Sequence, residues 1–401
     1  MIRRQAVFTR NVLCAFALTP NKLGGCEQFA IEIAHQIRPL GYQFILCLEG
    51  EPSPAVRKAL TEPGNLVLEV LPQQARIDVE SSVRFTKLLL KYHPEAMLYS
   101  LGGVVRLWPL LAKIAGVKRI LYNDGTSRKQ LDYRASAAIR VLMTPITQVV
   151  CVSSFVKECS DREGIVPAQK TSVIYNSAAL NKPIGDGAAF RRRHGISENR
   201  IVILKVSWLV QEKGIDIALF AAKEALQQNK DLHFLFCGDG REKELYQATA
   251  KKFGIDHHIT WAGQIEDIGA SGAFQAADIQ IQCSQWHEAF CLGVAEGMST
   301  GLPVIAAKIG GLPELVTDGV NGYLFEPKDF QTLARRIVEL AADKPLRETI
   351  GQNNREKAIA AFDLKKNVSR WVEMLVANEP ARKSAERELI STTKGRTIVR
   401  V

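Results

Sequence analysis

The stretch CSQWHEAFCLGVAEGM, residues 283–298, joins a strand to a helix and indicates the fold class. It follows a short apolar segment, Asp278 to Gln282, that has the composition of a buried strand. Glu288 falls in the loop, and Glu296, eight residues later, is predicted to lie about two helical turns into the next helix. A strand that leads through a loop into a helix is the repeating unit of a parallel sheet.

The same unit recurs along the chain, which predicts parallel sheets covered by helices on both faces. In the first half the predicted strands are Asn11 to Leu18, Gln43 to Leu48, Asn65 to Val70, Ala96 to Ser100, Lys118 to Asn123 and Gln148 to Val152. In the second half they are Ile201 to Val206, Leu232 to Cys237, Ile259 to Ala262, Asp278 to Gln282, Val304 to Ala307 and Gly322 to Phe325. Ligands of such sheets bind beyond the carboxyl ends of the strands.

A polar, turn-rich break divides the two series of strands. We predict an N-terminal domain at residues 1–180, a linker at 181–189 and a C-terminal domain at 190–360. A helical segment at 361–378 and a loose basic tail at 379–401 follow. The fold class is therefore α/β, with two Rossmann-like, doubly wound domains that face a cleft.

The composition of the chain is that of a globular protein. Of its 401 residues, 46% are hydrophobic and 23% are charged, which excludes a mainly disordered, collagen-like or coiled-coil chain. The eight cysteines contain no C-x-x-C pair and lie mostly in apolar runs. They are expected to be buried free thiols in a reducing compartment. Because no 18 consecutive residues are apolar, no membrane-spanning helix is expected.

The net charge of +10 is concentrated in the first half of the chain. Residues 1–176 have 22 Lys and Arg against 14 Asp and Glu, or +8, whereas residues 381–401 have six against two, or +4. The excess indicates an anionic partner, either an anionic membrane surface or a phosphate-bearing acceptor, and the alternative is a solvated basic surface. Nucleic acid is not expected as a partner, because no aromatic and basic platform is present.

Four basic residues, Arg128, Lys129, Arg134 and Arg140, are interspersed with apolar ones in the first domain. They fit the charged side of an amphipathic helix that faces a membrane, or equally a solvated helix face. We expect a cytoplasmic protein that visits the inner membrane surface through its first domain. The rival interpretation is a fully soluble enzyme with a soluble acceptor.

The loop in residues 283–291 and the helix after it are suited to a nucleotide sugar. Backbone N–H groups at a helix N-terminus bind pyrophosphate, and Cys291 and Leu292 belong to this predicted donor-binding set. The Glu296 carboxylate is placed to accept hydrogen bonds from both hydroxyls of a ribose. Glu288 would face the second substituent of the diphosphate, a sugar.

Further motifs follow in order: E-x7-E at Glu288 and Glu296, G-x-P-V at 301–304, G-G-x-P-E at 310–314 and D-G-x-N-G at 318–322. In these motifs the chain resembles the retaining family 4 glycosyltransferases of the GT-B fold. The likeness extends over most of the chain and is weakest in the first 150 residues. It implies that the second domain holds the donor, that the first holds the acceptor, and that 361–378 crosses back onto the first domain.

The segment KVSWLVQEKG, residues 205–214, is similar to the family's G-R-L-x-x-x-K-G loop, whose Arg and Lys clamp the donor diphosphate. Lys213 fits this pattern and is assigned to the diphosphate. Ser207 and Trp208 replace the usual Gly and Arg. The resemblance therefore implies either that Lys205 or another cation substitutes, or that the leaving group is less stabilised. Lys205 and Ser207 are included in the predicted donor-binding set.

The pair Gly24-Gly25 lies between the first predicted strand and the first helix. Without side chains, these residues let a substrate approach the backbone, and the N–H groups of the helix face it. In the family this loop lies near the donor phosphates and the acceptor, so we assign both glycines to donor binding.

The family's usual histidine at the end of a first-domain strand is missing. The strand here reads ILYNDG, residues 120–125, so Asn123 occupies that position, and we assign a catalytic role to the adjacent Asp124, together with Glu288 and Lys213. His287 is expected to pack or to form a hydrogen bond. No His, Cys or Asp cluster has the spacing of metal ligands, so neither a metal nor another cofactor is expected.

The resemblance implies a retaining transferase that moves a hexose-type sugar from a UDP- or GDP-linked donor to a hydroxyl acceptor. The acceptor is expected to belong to surface polysaccharide or lipid-linked glycan synthesis. Two alternatives remain: a GT-B sugar-nucleotide epimerase, and a non-catalytic homologue that only binds sugar nucleotide.

Overall fold

The computed structural model of this chain describes residues 8, 10–16, 18–21, 23–72, 78–100, 107–126, 135–178 and 185–376. Within these residues the strands form two separate sheets, one of seven strands and one of six, and all the strand pairs are parallel. No helix in the described ranges combines the length and the apolar character needed to cross a bilayer.

The first domain alternates strands and helices. Its elements are β1 (Arg10–Phe16), α1 (Gly25–Ile37), β2 (Tyr42–Leu48), α2 (Pro54–Thr61), β3 (Leu66–Val70), α3 (Val79–Tyr92), β4 (Ala96–Ser100), α4 (Trp108–Ile114), β5 (Arg119–Asp124), α5 (Ala137–Met143), β6 (Gln148–Cys151), α6 (Ser154–Glu163) and β7 (Thr171–Val173). The strand order is β3-β2-β1-β4-β5-β6-β7, which reverses direction between β1 and β4.

The second domain repeats this design. Its elements, and the helix that ends the described chain, are α7 (Gly187–Arg193), β8 (Ile201–Val206), α8 (Ile215–Gln228), β9 (Leu232–Cys237), α9 (Lys243–Lys252), β10 (Ile259–Gly263), β11 (Ile279–Gln282), α10 (Leu292–Ser299), β12 (Val304–Ala307), α11 (Leu312–Leu315), β13 (Gly322–Phe325), α12 (Phe330–Ala342), α13 (Lys344–Ala361) and α14 (Leu364–Val376). The order β10-β9-β8-β11-β12-β13 reverses between β8 and β11. The prediction of two doubly wound α/β domains is confirmed.

Both faces of the first sheet are buried, which explains why its strands are nearly continuous apolar runs. Successive side chains of a strand point to opposite faces. Leu13 and Ala15 of β1 therefore pack with α3, α4, α5 and α6, whereas Val12 and Cys14 pack with α1, α2 and α14. The first of these clusters continues into the second domain through residues such as Phe290.

Three details of the chain differ from the predicted pattern or lie outside it. β7 was not predicted, because three residues, only one of them fully buried, are too short for a recognisable apolar run. Of the predicted linker 181–189, residues 181–184 lie outside the described ranges, and α7 already begins at Gly187. The predicted basic tail at 379–401 also lies outside them. All eight cysteines are free, as predicted.

Helix α14 packs against the first domain, although it follows the second domain in the chain. Trp371 is buried and meets Phe29 of α1 edge to face, with ring centroids 5.5 Å apart. Ser369 Oγ donates a hydrogen bond to Gln36 Oε1 of α1 at 3.0 Å, and Asn367 Nδ2 donates to Tyr175 O at 3.1 Å. These contacts attach α14 to the same face of the sheet as α1.

Replacing Trp371 by Ala is expected to lower the free energy of unfolding of the first domain by about 3–5 kcal/mol, because a large buried ring is removed and a cavity remains. Urea denaturation followed by circular dichroism measures the loss. Glu373→Ala, at an exposed position of the same helix, is the matched control and should change stability little. Equal stability of the two variants would contradict the described packing of α14.

Candidate functional site

The centre of the candidate site is an ion pair between two connections of the second domain. Lys213 lies in a short 3-10 turn after β8, and Glu288 lies in the loop between β11 and α10. The Lys213 Nζ and Glu288 Oε1 atoms are 2.7 Å apart. The Lys213 amine also lies 5.2 Å from the centre of the Trp286 ring, within the range of a cation–π contact. Two of the three predicted catalytic residues are thus in direct contact.

Two glycines bring these loops together because a side chain would not fit. Gly214 has a φ of +66°, and a Cβ there would lie 1.9 Å from the carbonyl oxygen of Cys283. Gly310 has a φ of +59°, and its Cβ would lie 2.4 Å from the carbonyl oxygen of Glu288. Both backbone conformations favour glycine. The backbone around Lys213 and Glu288 is therefore closely packed on both sides.

The Glu288 carboxylate is buried, with 5% of the residue exposed, and its Oε1 atom accepts several hydrogen bonds. Ser284 Oγ donates to Oε1, and Gln282 Nε2 donates to it at 3.3 Å. Lys213 is the third donor to the same oxygen. Among the described residues none donates to Oε2, so this oxygen is still able to accept a hydrogen bond.

Lys205 lies below this network and is 1% exposed. Its Nζ atom donates to Gln282 Oε1 at 3.4 Å, and Gln282 in turn donates to Ser284 and Glu288. Burial lowers the pKa of Lys205, partly opposed by the negative charge of Glu288. The Lys205 amine therefore contributes to the support of Glu288 from below.

Ser207 and Trp208, which replace the family's Gly and Arg, differ from each other in their surroundings. The Ser207 Oγ atom is buried and has no hydrogen-bond partner in the described part of the chain. A Cβ at Gly238 would lie 1.9 Å from the Ser207 carbonyl oxygen, so this turn also packs closely. Trp208 is 70% exposed. It projects away from the buried network, and Lys213 remains the cation next to Glu288.

Helix α10 begins later than the sequence predicted. Cys291 has a left-handed φ of +80°, and the helix starts at Leu292. Glu296 therefore lies about one turn into α10, and the prediction of two turns was wrong, because residues 288–291 are not helical. Glu296 is half-buried. Burial raises the pKa of Cys291 to about 12, and Glu288 adds to the rise while Lys213 opposes it.

The first domain reaches this point through the N-terminus of α1. A Cβ at Gly25 would lie 2.6 Å from Leu292 Cδ2, so a side chain there would require the Leu292 side chain to move where the first turns of α1 and α10 meet. The Gly24 N–H donates to Glu27 Oε2 at 2.7 Å, which caps the helix. Two positive helix ends therefore meet across the cleft beside Lys213, a favourable place for an anion.

A cavity of about 180 Å³ adjoins this contact on the side of the first domain. Its lining includes Gly25, Asn123, Leu292 and Trp371. The Asn123 Oδ1 atom is buried and has no hydrogen-bond partner among the described residues. Asp124 does not line the cavity; its carboxylate is buried and accepts a hydrogen bond from the Thr126 N–H at 3.2 Å. Its catalytic role stays a prediction.

Most of the predicted site residues thus fall into two groups. Lys213 contacts the Glu288 carboxylate and Lys205 is connected to it through Gln282. At the two helix ends lie Gly24, Gly25, Cys291, Leu292 and Glu296. Ser207 follows β8 and Asp124 ends β5, outside these groups. His287 packs, as predicted, with its ring stacked on Phe155 at 5.6 Å. The sequence reasoning missed Ser284, Gln282 and Glu27, although Gly24-x-x-Glu27 has the spacing of a capping box.

No group of three or more His, Cys, Asp or Glu side chains in the described ranges is arranged to hold a metal ion. The prediction that no metal is required remains a prediction.

Replacing Lys213 by Met is expected to lower the free energy of unfolding by about 3 kcal/mol, near the lower end for a buried pair because the Lys213 side chain is 20% exposed. The double variant Lys213→Met/Glu288→Gln should lose less than the sum of the single variants, because no uncompensated charge is left buried. Urea denaturation of the four proteins measures this coupling. Strict additivity would show that the pair does not act as a unit.

Residues 186–357 match the family model for glycosyl transferases group 1. An uncharacterized glycosyltransferase of Methanocaldococcus jannaschii is 31% identical over 52% of this chain and 54% of its own length. The chain thus spans about half the length of this relative. The UDP-Gal:alpha-D-GlcNAc-diphosphoundecaprenol alpha-1,3-galactosyltransferase of Escherichia coli is 27% identical over 75% of this chain and 80% of its own length.

Similarity to solved structures extends to the whole fold. The crystal structure of HepE from Anabaena in complex with UDP has a TM-score of 0.75 and 23% identity, over 92% of this chain and 99% of HepE. At this identity the likeness concerns the fold. Residues 186–357 therefore match the glycosyl transferases group 1 family, and the chain has the GT-B fold, in which two doubly wound domains face a cleft.

Proposed function

We propose that this protein is a retaining glycosyltransferase of family 4, which transfers a hexose-type sugar from a nucleotide diphosphate sugar to a hydroxyl acceptor. The observation that carries the proposal is the meeting of the α1 and α10 N-termini at Gly25 and Leu292, beside the Lys213–Glu288 pair. This arrangement combines two helix ends and a cation, which suit a diphosphate, with a carboxylate oxygen that can accept a hydroxyl.

The proposed roles follow from the positions of the side chains. Lys213 neutralises the diphosphate as it leaves. Glu288 binds a hydroxyl of the donor sugar through Oε2, and Glu296 binds the ribose. The departing diphosphate takes the proton of the acceptor hydroxyl on the same face of the sugar, so no carboxylate nucleophile is required. The first domain holds the acceptor, and the Asn123 Oδ1 atom, which has no partner in the described part of the chain, supplies one acceptor of hydrogen bonds there.

UDP is the first donor base to test, with GDP as the alternative. The name of the Escherichia coli relative specifies a UDP-linked galactose and a lipid-linked diphosphate acceptor, and HepE was crystallised with UDP. These names support a UDP sugar and an acceptor from surface polysaccharide or lipid-linked glycan synthesis. A thermal-shift panel of UDP, GDP, ADP and their sugars identifies the base, since a ligand at 100 times its Kd adds about 2.7 kcal/mol of stability.

Transfer itself needs a separate assay. Incubation with the donor alone should give neither an epimerised sugar nucleotide nor turnover beyond slow hydrolysis, and addition of a hydroxyl acceptor should start transfer. An epimerised donor would support the epimerase instead. Donor binding without hydrolysis or transfer to any acceptor would support a non-catalytic homologue, which the exposed Trp208 in place of an arginine favours.

Replacing Glu296 by Ala is expected to weaken nucleotide binding by about 1–3 kcal/mol, because the hydrogen bonds of the ribose hydroxyls are lost. Isothermal titration with UDP and GDP measures the affinity. Glu244→Ala, an exposed glutamate on α9, is the control and should bind as the wild type does. An unchanged affinity of Glu296→Ala would exclude this residue as the ribose ligand.

We also propose that the protein is cytoplasmic and attaches reversibly to an anionic membrane surface through its first domain. Of the basic residues predicted for this contact, Arg128, Lys129 and Arg134 lie outside the described ranges, and Arg140 lies on α5. Its neighbours provide further support. The helices α3, α4 and α5 pack side by side and expose six large apolar side chains: Val79, Val83, Leu90, Leu110, Ile114 and Val141.

The charge of the same three helices suits an anionic surface. They contain five basic residues, namely Arg84, Lys87, Lys91, Lys113 and Arg140, against one acidic residue, Glu80. Apolar side chains enter the headgroup region, and nearby cations each add about 1 kcal/mol of attraction to an anionic leaflet. We call the outer face of α3, α4 and α5 the basic apolar face.

The variant Lys87→Gln/Leu90→Ser/Lys113→Gln/Ile114→Ser is expected to bind vesicles at least about tenfold less tightly, because two cations and two apolar contacts are lost. Sedimentation with phosphatidylcholine vesicles that contain phosphatidylglycerol measures binding, which should weaken as salt is raised. Leu245→Ser/Lys252→Gln on α9 is the matched control in the second domain. Unaltered binding of the first variant would exclude the basic apolar face, and no binding at low salt would exclude the membrane proposal.

A further inference from the structure

The Glu314 carboxylate of the second domain caps a helix of the first domain. Its Oε1 atom accepts a hydrogen bond from the Phe155 N–H, and its Oε2 atom accepts one from the Ser154 N–H, both at 2.8 Å. Ser154 and Phe155 are the first two residues of α6. A carboxylate at this position satisfies two otherwise unpaired N–H groups and faces the positive end of the helix.

The same end of α6 contacts the second domain at two more points. The buried Ser153 Oγ donates to the carbonyl oxygen of Ala289 at 2.6 Å, while it accepts from the Val156 N–H. The Phe155 ring stacks on His287 with centroids 5.6 Å apart and planes at 8°. His287 and Ala289 are the two neighbours of Glu288 in the chain. The first domain therefore holds the loop on either side of this carboxylate.

Glu314 is connected to Glu288 by a backbone hydrogen bond of the nearby Gly311. Glu314 belongs to α11, which begins directly after Gly311. The Gly311 N–H donates to the carbonyl oxygen of Glu288 at 2.8 Å, and the adjacent Gly310 packs on the same peptide. The N-terminus of α6 thus contacts residues 287 and 289 directly and is connected to residue 288 through Glu314 and Gly311. Among the other described contacts of Glu288, those to Lys213, Ser284 and Gln282 come from within the second domain.

We propose that Glu314 is a positioning residue, which places the Glu288 carboxylate for the donor sugar only when the first domain is docked on the second. The inference takes its substrate, a nucleotide sugar, from the proposed function. The contact between Glu314 and α6 does not depend on that function. Domain closure then completes the sugar-binding part of the site. Glu296 lies on α10, outside the segment that α6 holds, so the nucleotide part of the donor binds without this contact.

If domain docking positions Glu288 through Glu314, a change at Glu314 should affect the binding of the nucleotide and of the sugar differently. In Glu314→Gln the shape is kept, but the charge is lost and an amide N–H opposes one of the backbone N–H groups of α6. The affinity for UDP should stay within twofold of the wild type. The extra affinity of UDP-glucose over UDP should fall, and kcat/KM for transfer should fall at least tenfold. A merely structural role in the second domain would instead lower the affinity for UDP and for UDP-glucose together.

The experiment compares the wild type, Glu314→Gln, Ser153→Ala and the control Glu326→Gln in the full chain. Glu326 is an exposed glutamate of the second domain, and its variant should behave as the wild type does. Titration with UDP and UDP-glucose, transfer kinetics and small-angle X-ray scattering are measured, and thermal unfolding verifies that each variant folds. Ser153→Ala should resemble Glu314→Gln, since it removes the second contact of the same helix end.

The radius of gyration allows the role of Glu314 to be tested separately from the proposed function. If α6 and Glu314 hold the domains together, ligand-free Glu314→Gln should have a larger radius of gyration than the wild type. Failure of the wild type to bind or transfer any sugar nucleotide would refute the proposed function, and the scattering would still test the contact. Transfer within twofold of the wild type, a parallel loss of UDP affinity, or an unchanged radius of gyration would each overturn the role of Glu314.

Discussion

The burial of the Glu288 carboxylate is the constraint on which the site depends. An ionised carboxylate is stable away from water only if donors and a cation surround it. Lys213, Ser284 and Gln282 meet this requirement at one oxygen and leave the other for a ligand. Lys213 follows β8 and Gln282 ends β11, and these two strands are neighbours where the strand order of the second sheet reverses. Strand order therefore brings the cation to the carboxylate.

Close packing of backbone against backbone gives the site its rigidity. Gly214 and Gly310 hold the loops of Lys213 and Glu288 at distances that no other residue would allow. Gly25 leaves room for the Leu292 side chain between the domains, where the first turns of α1 and α10 meet. A Cβ at Gly214 or Gly310 would lie 1.9 or 2.4 Å from a backbone carbonyl oxygen, so the backbone of one of the two loops would have to move. Such displacements are large compared with the tolerance of a hydrogen-bonded site.

The two domains share more than a cleft. The apolar cluster of the first sheet continues through Phe290 and Val294 into the second domain, and α14 returns to pack on α1. Tyr175 of the first domain meets both Phe290 and Phe362, so the loop between β11 and α10 and the segment after α13 lie against one aromatic ring. The loop of Glu288 is placed between this cluster and the capped end of α6. Donor recognition and the arrangement of the domains are for this reason physically linked.

Local patterns in the sequence were sufficient to predict all the strands except β7. They also predicted that Glu288 lies in a loop, that Glu296 lies on a helix and that Lys213-Gly214 belongs to the site. Buried parallel strands are continuous apolar runs in the sequence, and a turn that requires glycine has a visible glycine at that position. The left-handed Cys291, which shortens the predicted helix before Glu296, leaves no such pattern because nothing in a cysteine side chain predicts that conformation. The three-residue strand β7 is too short to be recognised.

The remaining features depend on residues far apart in the chain. Lys213 and Glu288 are separated by 75 positions, and Glu314 and Ser154 by 160. Which side chains meet over such separations depends on the order of the strands and on the docking of the domains. The burial of Lys205 below Gln282, the cavity beside Asn123 and the capping of α6 by Glu314 were therefore decided by the tertiary structure alone. Short-range interactions can be read from the sequence because neighbours in the chain are neighbours in space; contacts between distant elements become defined only when the sheets are assembled.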